Sequence, residues 1–220
     1  MIEEILPACV ASAEQFADPP DIRLFAEEAA LVATAVEKRR REFATGRDCA
    51  RRALAALGLP PVPIPRGERG APGWPPGIVG SITHCAGFRA AAAAPAAAVH
   101  AVGLDAEPDQ PLPALVLGTV ALPPERAMLR ELAAAGPGPC WDRLLFSAKE
   151  SVYKAWFPLT GRWLGFSGAA VTISPADGTF EARLLVAGAM AGGRPVDRLA
   201  GRWLARDGLI LTAVTLLPRR

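Results

Sequence analysis

The chain has 220 residues, 51% of them hydrophobic and 21% charged, which is enough to bury a substantial core without external staples. Its 24 basic and 22 acidic residues leave a formal charge of +2, so composition does not predict a nucleic-acid partner. Four widely spaced cysteines without a C-x-x-C pair, and only two histidines, exclude the spacing of a zinc site and favour free thiols.

The chain also lacks the signals that direct a protein out of the cytoplasm. Its first seven residues contain no basic stretch followed by an apolar run, and no later segment is a long uncharged span of strongly apolar residues. We therefore expect a cytoplasmic protein that is neither secreted nor inserted into a membrane.

The first half of the chain contains one clear helical pattern. Residues 27–57 have apolar side chains at helical spacing and predict a helix that ends at Gly58. Residues 60–76 are rich in proline and glycine and predict an ordered loop. Residues 90–98 are ambiguous, because alanine favours a helix whereas Pro95 and the flanking valines favour an extended chain.

The second half mixes strands and helices. Residues 102–107 predict a strand, 126–135 a short helix and 144–157 a longer helix. Residues 169–173 and 209–214 alternate as strands do. Because both halves combine helices with short strands, we expect an α+β fold.

Acidic and basic residues meet on two of these elements. Asp105 and Glu107 occupy alternate positions of a strand, so both side chains leave on one face. Glu150 and Lys154 lie one helical turn apart, and Lys149 adjoins them. Taken separately, the two strand acids are typical of solvated carboxylates. Glu150 and Lys154 are likewise typical of a surface ion pair that stabilises a helix by about 0.2–0.5 kcal/mol. Three carboxylates and two lysines together indicate a metal-phosphate site.

The sequence resembles the Sfp-type 4'-phosphopantetheinyl transferases, most closely their enterobactin-synthetase-component-D-like branch. The family motifs include G-[IL]-D-x-E, matched by Gly103-Leu104-Asp105-Ala106-Glu107, and [FW]-x-x-K-E-[AS]-x-[YF]-K, matched by residues 146–154. Residues 79–85 and 163–166 match two further motifs. These matches occur in the family order and, with the basic positions upstream, cover residues 39–166.

The resemblance implies a pseudo-twofold arrangement of two similar α/β halves, with the coenzyme A site in the cleft between them. Residues 1–103 would form the N-terminal half, which binds the coenzyme A phosphates, and residues 104–220 the C-terminal half, which carries the metal and the catalytic helix. It also places a buried strand just after the histidine motif, so the resemblance favours a strand for residues 90–98.

The implied activity is that of a holo-[acyl-carrier-protein] synthase type 4'-phosphopantetheinyl transferase. Such an enzyme moves 4'-phosphopantetheine from coenzyme A to a serine of apo acyl or peptidyl carrier proteins and releases 3',5'-ADP. By resemblance, Asp105, Glu107 and Glu150 bind Mg²⁺ or Mn²⁺, and Glu150, Lys154 and Asp105 are catalytic. We expect a monomer that binds no nucleic acid and no membrane. The pathway, among fatty acid, polyketide, nonribosomal peptide and siderophore biosynthesis, is left open.

Further residues are implied in coenzyme A binding. A lone histidine is more often structural, and an arginine-rich helix face is more often solvated, but both groups match family phosphate-binding positions. Arg51 or Arg52 are alternatives if one arginine is misassigned. The residues assigned to coenzyme A are Arg39, Arg47, Arg66, Ser81, Thr83, His84, Lys149 and Lys154.

Two other functions are compatible with the same residues. A magnesium-dependent phosphohydrolase or nucleotide-binding enzyme would use the same acids without a carrier protein. A non-catalytic coenzyme A binding protein would keep the fold, and its binding would survive loss of Glu150. A cysteine nucleophile at Cys85 is disfavoured, because adjacency to His84 in sequence does not position the two groups. A serine hydrolase is disfavoured because no G-x-S-x-G motif occurs.

Overall fold

The computed structural model describes residues 1–218. The first half contains a three-stranded antiparallel sheet and two helices. Its strands are β1 (Ala11–Gln15), β2 (Ile78–Cys85) and β3 (Phe88–Pro95), and its helices are α1 (Ala26–Leu31) and α2 (Glu37–Ala56). The sheet order is β1-β3-β2, and α2 packs on β1 and β3.

The second half contains a five-stranded antiparallel sheet. Its long strands are β4 (Ala101–Pro108), β5 (Ala169–Ser174), β6 (Thr179–Leu184), β9 (Arg198–Arg206) and β10 (Leu209–Leu216). A separate ribbon pairs β7 (Met190–Ala191) with β8 (Arg194–Pro195). The helices are α3 (Ala114–Val120), α4 (Pro123–Ala134) and α5 (Trp141–Thr160). The sheet order is β4-β10-β9-β6-β5, and α5 packs on β4 and β10.

The two halves meet along β2 and β4. The backbone N–H of Leu104 on β4 donates to Ser81 Oγ on β2 at 3.0 Å, in a buried position. The predicted boundary between residues 103 and 104 falls inside β4, and the division into 1–103 and 104–220 stays a prediction, whose last two residues lie outside the described range. The mixed helices and antiparallel sheets agree with the expected α+β class.

The alanine-rich segment is a strand, as the resemblance favoured. Ala90–Ala94 are fully buried in β3. Ala90, Ala92 and Ala94 pack in a core shared with β4 and β10, whereas Ala91 and Ala93 pack against α2. Small side chains on both faces let β3 lie between these two cores, so tertiary packing overrides the helical propensity of alanine.

The single helix predicted over residues 27–57 is wrong, because the chain breaks between α1 and α2. Val32 ends α1, and Val36 is extended, with a ψ of 154°. The break lets the buried Glu28 carboxylate accept hydrogen bonds from Arg51 and from the Ile64 backbone N–H, at 2.9 Å each. These distant partners stabilise a bend that local periodicity did not indicate.

The helices predicted at 126–135 and 144–157 are confirmed with different bounds. Helix α4 begins three residues earlier, because Pro123 and Pro124 occupy its first turn and the Glu125 carboxylate accepts from the Leu122 N–H at 2.7 Å. Helix α5 extends three residues beyond the prediction at each end. No helix within residues 1–218 has both the length and the apolar character needed to cross a bilayer.

Candidate active site

A cleft of about 710 Å³ lies where the two halves meet. Helix α2, the loop after it and β2 line one side, and α5 lines the other. Seven of the predicted site residues line this cleft: Arg39, Arg47, Arg66, Ser81, His84, Glu150 and Lys154. The structure therefore brings together positions that lie up to 115 residues apart in the chain, counted from Arg39 to Lys154.

Each acid of β4 is paired with a cation of α5. Lys154 Nζ donates to Asp105 Oδ1 at 2.7 Å and lies 3.5 Å from Thr83 Oγ1. Arg143 donates to Glu107 Oε2 at 2.9 Å. Asp105 and Glu107 therefore each have a basic partner, a lysine near one end of α5 and an arginine near the other.

Glu150 lies near both acids but has no ion pair with a basic side chain within residues 1–218. Burial and the negative charge of Asp105 raise its pKa, and Lys154 opposes this effect. Burial and Asp105 also raise the pKa of Glu107, against the influence of Arg143. The carboxylates thus repel one another in a partly desolvated site.

The chemistry of this acid cluster fits a divalent cation. No three histidine, cysteine or acidic side chains of residues 1–218 have the arrangement of a cation site, and Lys154 and Arg143 form ion pairs with two of the acids. The buried Oδ2 of Asp105, however, has no hydrogen-bond partner among the described residues. A hard cation with oxygen ligands would satisfy that atom and offset the repulsion that raises the pKa of Glu150.

Polar groups of β2 and α2 form the next part of the cleft. Arg39 Nη1 lies 2.9 Å from His84 Nε2 and 3.4 Å from Glu42. Enclosure by the cleft walls and the Arg39 charge lower the pKa of His84, although its ring remains open to solvent. A neutral imidazole can therefore accept from Arg39. Thr83 is buried beside Lys154.

Three arginines besides Arg39 contribute positive charge to the N-terminal side of the cleft. Arg47 is held by a 2.9 Å hydrogen bond from Nε to the Ile64 carbonyl and by the Phe43 ring 4.2 Å away. Burial lowers the pKa of Arg47 to about 10, so it remains charged at neutral pH. Arg66 and Arg69 lie on the exposed loop that follows. An anionic ligand would offset the mutual repulsion of these charges.

Lys149 has a different position from the one implied by the resemblance. Its ammonium is buried on another side of α5, 2.7 Å from Glu125, and donates to the carbonyls of Val120 and Phe166 at 2.9 and 2.8 Å. It does not line the cleft. Its hydrogen bonds hold α5 to the start of α4 and to the loop before β5, so we do not retain it as a coenzyme A ligand.

Gly103 sets the distance between β4 and α5. A Cβ atom at this position would lie 2.0 Å from the Ser151 carbonyl oxygen and 2.7 Å from the Ala155 nitrogen. Only glycine permits this approach. The close packing brings the Glu150 and Lys154 turn of α5 to the acids of β4.

Sequence reasoning missed several residues of the site. Arg143 is the ion-pair partner of Glu107, Glu42 contacts Arg39, and Arg69 reaches the Trp163 ring at 5.6 Å. Arg143 lies seven residues before Glu150, hence on the same helical face, so the spacing was a usable signal. The positions of Glu42 and Arg69 depend on tertiary contacts that the sequence does not display.

Comparisons with known proteins identify the family. Residues 27–94 match the sequence model of the 4'-phosphopantetheinyl transferase N-terminal domain, and residues 101–191 match that of the 4'-phosphopantetheinyl transferase superfamily. The chain is 56% identical over 219 residues to the 4'-phosphopantetheinyl transferase Svp of Streptomyces mobaraensis, covering 98% of this chain and 89% of that protein.

Two further relatives bear the same description. The chain is 53% identical to the 4'-phosphopantetheinyl transferase Npt of Nocardia iowensis, covering 97% of this chain and 99% of Npt. It is 49% identical to PptT of Mycobacterium tuberculosis, covering 98% of both chains. Enterobactin synthase component D of Salmonella typhimurium is more distant, at 32% identity over 84% of this chain and 76% of that protein. The chain belongs to the 4'-phosphopantetheinyl transferase superfamily.

Proposed function

We propose that this enzyme transfers the 4'-phosphopantetheine moiety of coenzyme A to a serine of apo acyl or peptidyl carrier proteins and releases 3',5'-ADP. One observation carries the proposal beyond family membership: the cleft is lined with arginines from one half and with Glu150 and Lys154 from the other. A donor with several phosphates and an acceptor that must lose a proton require these two kinds of group side by side.

Coenzyme A would lie in this cleft, between two halves related by a pseudo-twofold arrangement. Arg39, Arg47, Arg66 and His84 would hold its phosphates, since arginine forks suit bidentate phosphate contacts and a neutral imidazole gains a proton readily beside an anion. Ser81 and Thr83 are buried and engaged with Leu104 and Lys154, so we assign them to positioning the cleft wall rather than to direct contact.

The transfer step is an in-line displacement at the β-phosphorus of coenzyme A. The carrier serine oxygen forms the new bond to this phosphorus, and the bond to the bridging oxygen breaks, leaving its electron pair on 3',5'-ADP. Glu150 takes the serine proton; its raised pKa makes it a stronger base than an exposed carboxylate. Lys154 leaves Asp105 to stabilise or protonate the departing phosphate.

Asp105, Glu107 and Glu150 would hold Mg²⁺, or Mn²⁺ in its place, and the bound ion would offset charge on the pyrophosphate. The unpartnered buried Oδ2 of Asp105 supports this assignment. Arg143 keeps Glu107 on the same side as the other acids. The protein supplies the orientation, because β4 and α5 fix these side chains before any ligand arrives.

The acceptor is proposed to be a carrier protein with acidic residues around its serine. Arg66 and Arg69 are exposed at the cleft and would attract such a surface electrostatically. One copy of the chain carries both walls of the cleft, so we propose that a monomer is active.

The direct test is intact-mass spectrometry of an apo carrier protein after incubation with the enzyme, coenzyme A and Mg²⁺. The proposal expects a gain of one phosphopantetheine. Glu150→Gln should abolish the gain, whereas Glu131→Gln, which changes an exposed acid of α4, should leave it unchanged.

The other outcomes separate the alternatives. Hydrolysis of a phosphate ester without a carrier would indicate a phosphohydrolase. Coenzyme A binding that survives Glu150→Gln, with no mass gain on several acyl and peptidyl carriers, would indicate a non-catalytic binding protein.

A further inference from the structure

An arginine of the N-terminal half reaches an aromatic pair of the C-terminal half at the cleft. The Arg69 guanidinium carbon lies 5.6 Å from the centroid of the Trp163 ring. The Trp163 ring in turn lies 4.7 Å from the ring of Tyr153, centroid to centroid. Arg69 also acts to lower the pKa of Tyr153, although burial raises that pKa overall. The three side chains thus bridge the two halves.

The bridge lies beside the group proposed to react. Arg69 and Tyr153 line the main cleft together with Glu150. Tyr153 and Glu150 also line a much smaller opening, of about 20 Å³, in which Trp163 takes part. The two openings therefore share Glu150 and Tyr153, and Arg69 on the main cleft contacts Trp163 on the smaller opening.

The loop that carries Arg69, residues 65–73, is built to hold this side chain in place. Backbone N–H groups of Gly67 and Gly73 donate to the carbonyls of Ala71 and Pro65, each at 2.8 Å, and Arg66 and Pro72 form a β-bridge. Arg69 has a φ of 51°, which is unfavourable for a residue with a Cβ atom. These hydrogen bonds fix the backbone from which the Arg69 side chain extends.

Trp163 lies at the surface rather than in a core. Its side chain is 61% exposed, which is unusual for the largest aromatic residue. Its contacts with Tyr153 and Arg69 leave much of the ring open to solvent. A cation over an aromatic face gains attraction when the pair is desolvated, and a ligand filling the cleft would remove water from it.

We propose that Arg69 is a substrate-retaining residue, whose contact with Trp163 bridges the cleft and strengthens the binding of coenzyme A. The inference rests on the proposed function, because it takes coenzyme A as the ligand. The Arg69–Trp163 contact belongs to the protein itself, so only its strengthening when the cleft loses water adds to coenzyme A affinity. A change from about 0.5–1 kcal/mol for an exposed cation–π contact to about 2 kcal/mol for a desolvated one corresponds to a factor of about 5 to 13 in affinity.

The test is the dissociation constant of coenzyme A, measured by calorimetry without a carrier protein, in a double-mutant cycle. Arg69→Met and Trp163→Leu should each weaken binding about 5- to 13-fold. The double variant should bind coenzyme A no more weakly than the weaker-binding single variant, since both changes remove the same contact. Arg130→Met, which removes an exposed charge from α4, is the matched control and should bind as the parent does.

Two further variants separate retention from damage to the fold. Arg69→Gly relieves the positive φ, so it should be at least as stable as the parent yet bind coenzyme A more weakly. Trp163→Phe keeps an aromatic ring and should retain most of the affinity. Unchanged coenzyme A affinity in Arg69→Gly and Arg69→Met would overturn the inference.

A rise in the KM for the carrier alone, with coenzyme A affinity unchanged, would also overturn it and would leave Arg69 only the attraction of the carrier proposed above. Failure of the unmodified protein to bind coenzyme A would instead contradict the proposed function, so the two failures are distinguishable.

Discussion

Replacing Gly103 with alanine should move the acids of β4 away from Glu150 and Lys154 of α5 without removing any charged side chain. The new Cβ atom would lie 2.0 Å from the Ser151 carbonyl oxygen, so β4 and α5 must move apart by about 1.4 Å to reach an ordinary contact of 3.4 Å. Overpacking of this kind costs about 1–3 kcal/mol of folding free energy. A misplacement of about 1 Å near reacting groups can lower the rate by about 100-fold.

Two measurements test this reasoning on the same protein samples. Guanidinium unfolding gives the change in stability, and the rate of carrier modification at saturating substrates, in buffer where the variant is folded, gives the change in turnover. Gly118→Ala on α3 is the matched control, because a Cβ atom there meets nothing within 4 Å and alanine favours a helix. If Gly103→Ala kept both stability and turnover close to those of the control, the packing argument would be refuted.

Three further predictions concern buried charge and protonation. Lys149→Met leaves the Glu125 carboxylate buried without its cation and should lower the unfolding free energy by about 3–5 kcal/mol in denaturant titrations. Glu150→Gln should abolish transfer yet raise the melting temperature of the metal-free protein at neutral pH. The reason is that burial raises the pKa of Glu150 above its ordinary 4.5, so its ionised form destabilises the fold. His84 has a lowered pKa, so binding of an anionic phosphate should add a proton, making the calorimetric heat of coenzyme A binding depend on the buffer.

Each of these has its own control. Lys38→Met, at an exposed position, should leave stability unchanged. The gain in melting temperature of Glu150→Gln should shrink as pH falls through the raised pKa of Glu150. It should vanish below 4.5, because Glu150 is then protonated in both the folded and the unfolded parent protein. A gain that does not depend on pH would contradict the assignment. His84→Gln should remove the buffer dependence, and a binding heat that is the same in all buffers for the parent protein would disprove proton uptake.

The sequence allowed the strand of acids and the catalytic helix to be predicted because both signals are local. Asp105 and Glu107 alternate as strand residues do, and Glu150 and Lys154 follow helical spacing. The position of Lys149 could not be predicted in this way. Neighbouring helical residues point about 100° apart, and only the buried Glu125 on α4 decides where its ammonium lies.

The wrong helix prediction in the first half also has a tertiary cause. The bend between α1 and α2 depends on Glu28 reaching Arg51 and the Ile64 backbone, partners 23 and 36 residues away. The strand at Ala90–Ala94 was ambiguous by propensity, and the two cores that enclose it settle its conformation. Long-range contacts overrode local preference at both places.

The pairing of β4 also affects when the enzyme can become active during its synthesis. Asp105 on β4 lies opposite Thr212 on β10, more than one hundred residues later, and β10 is the hydrogen-bonded neighbour of β4 in its sheet. Until β10 has left the ribosome, the strand that carries the acids lacks this partner. Contacts of such sequence separation form late and slowly. A nascent chain should therefore acquire its charged cleft only after β10 has been synthesised, so that chains lacking β10 do not modify carrier proteins.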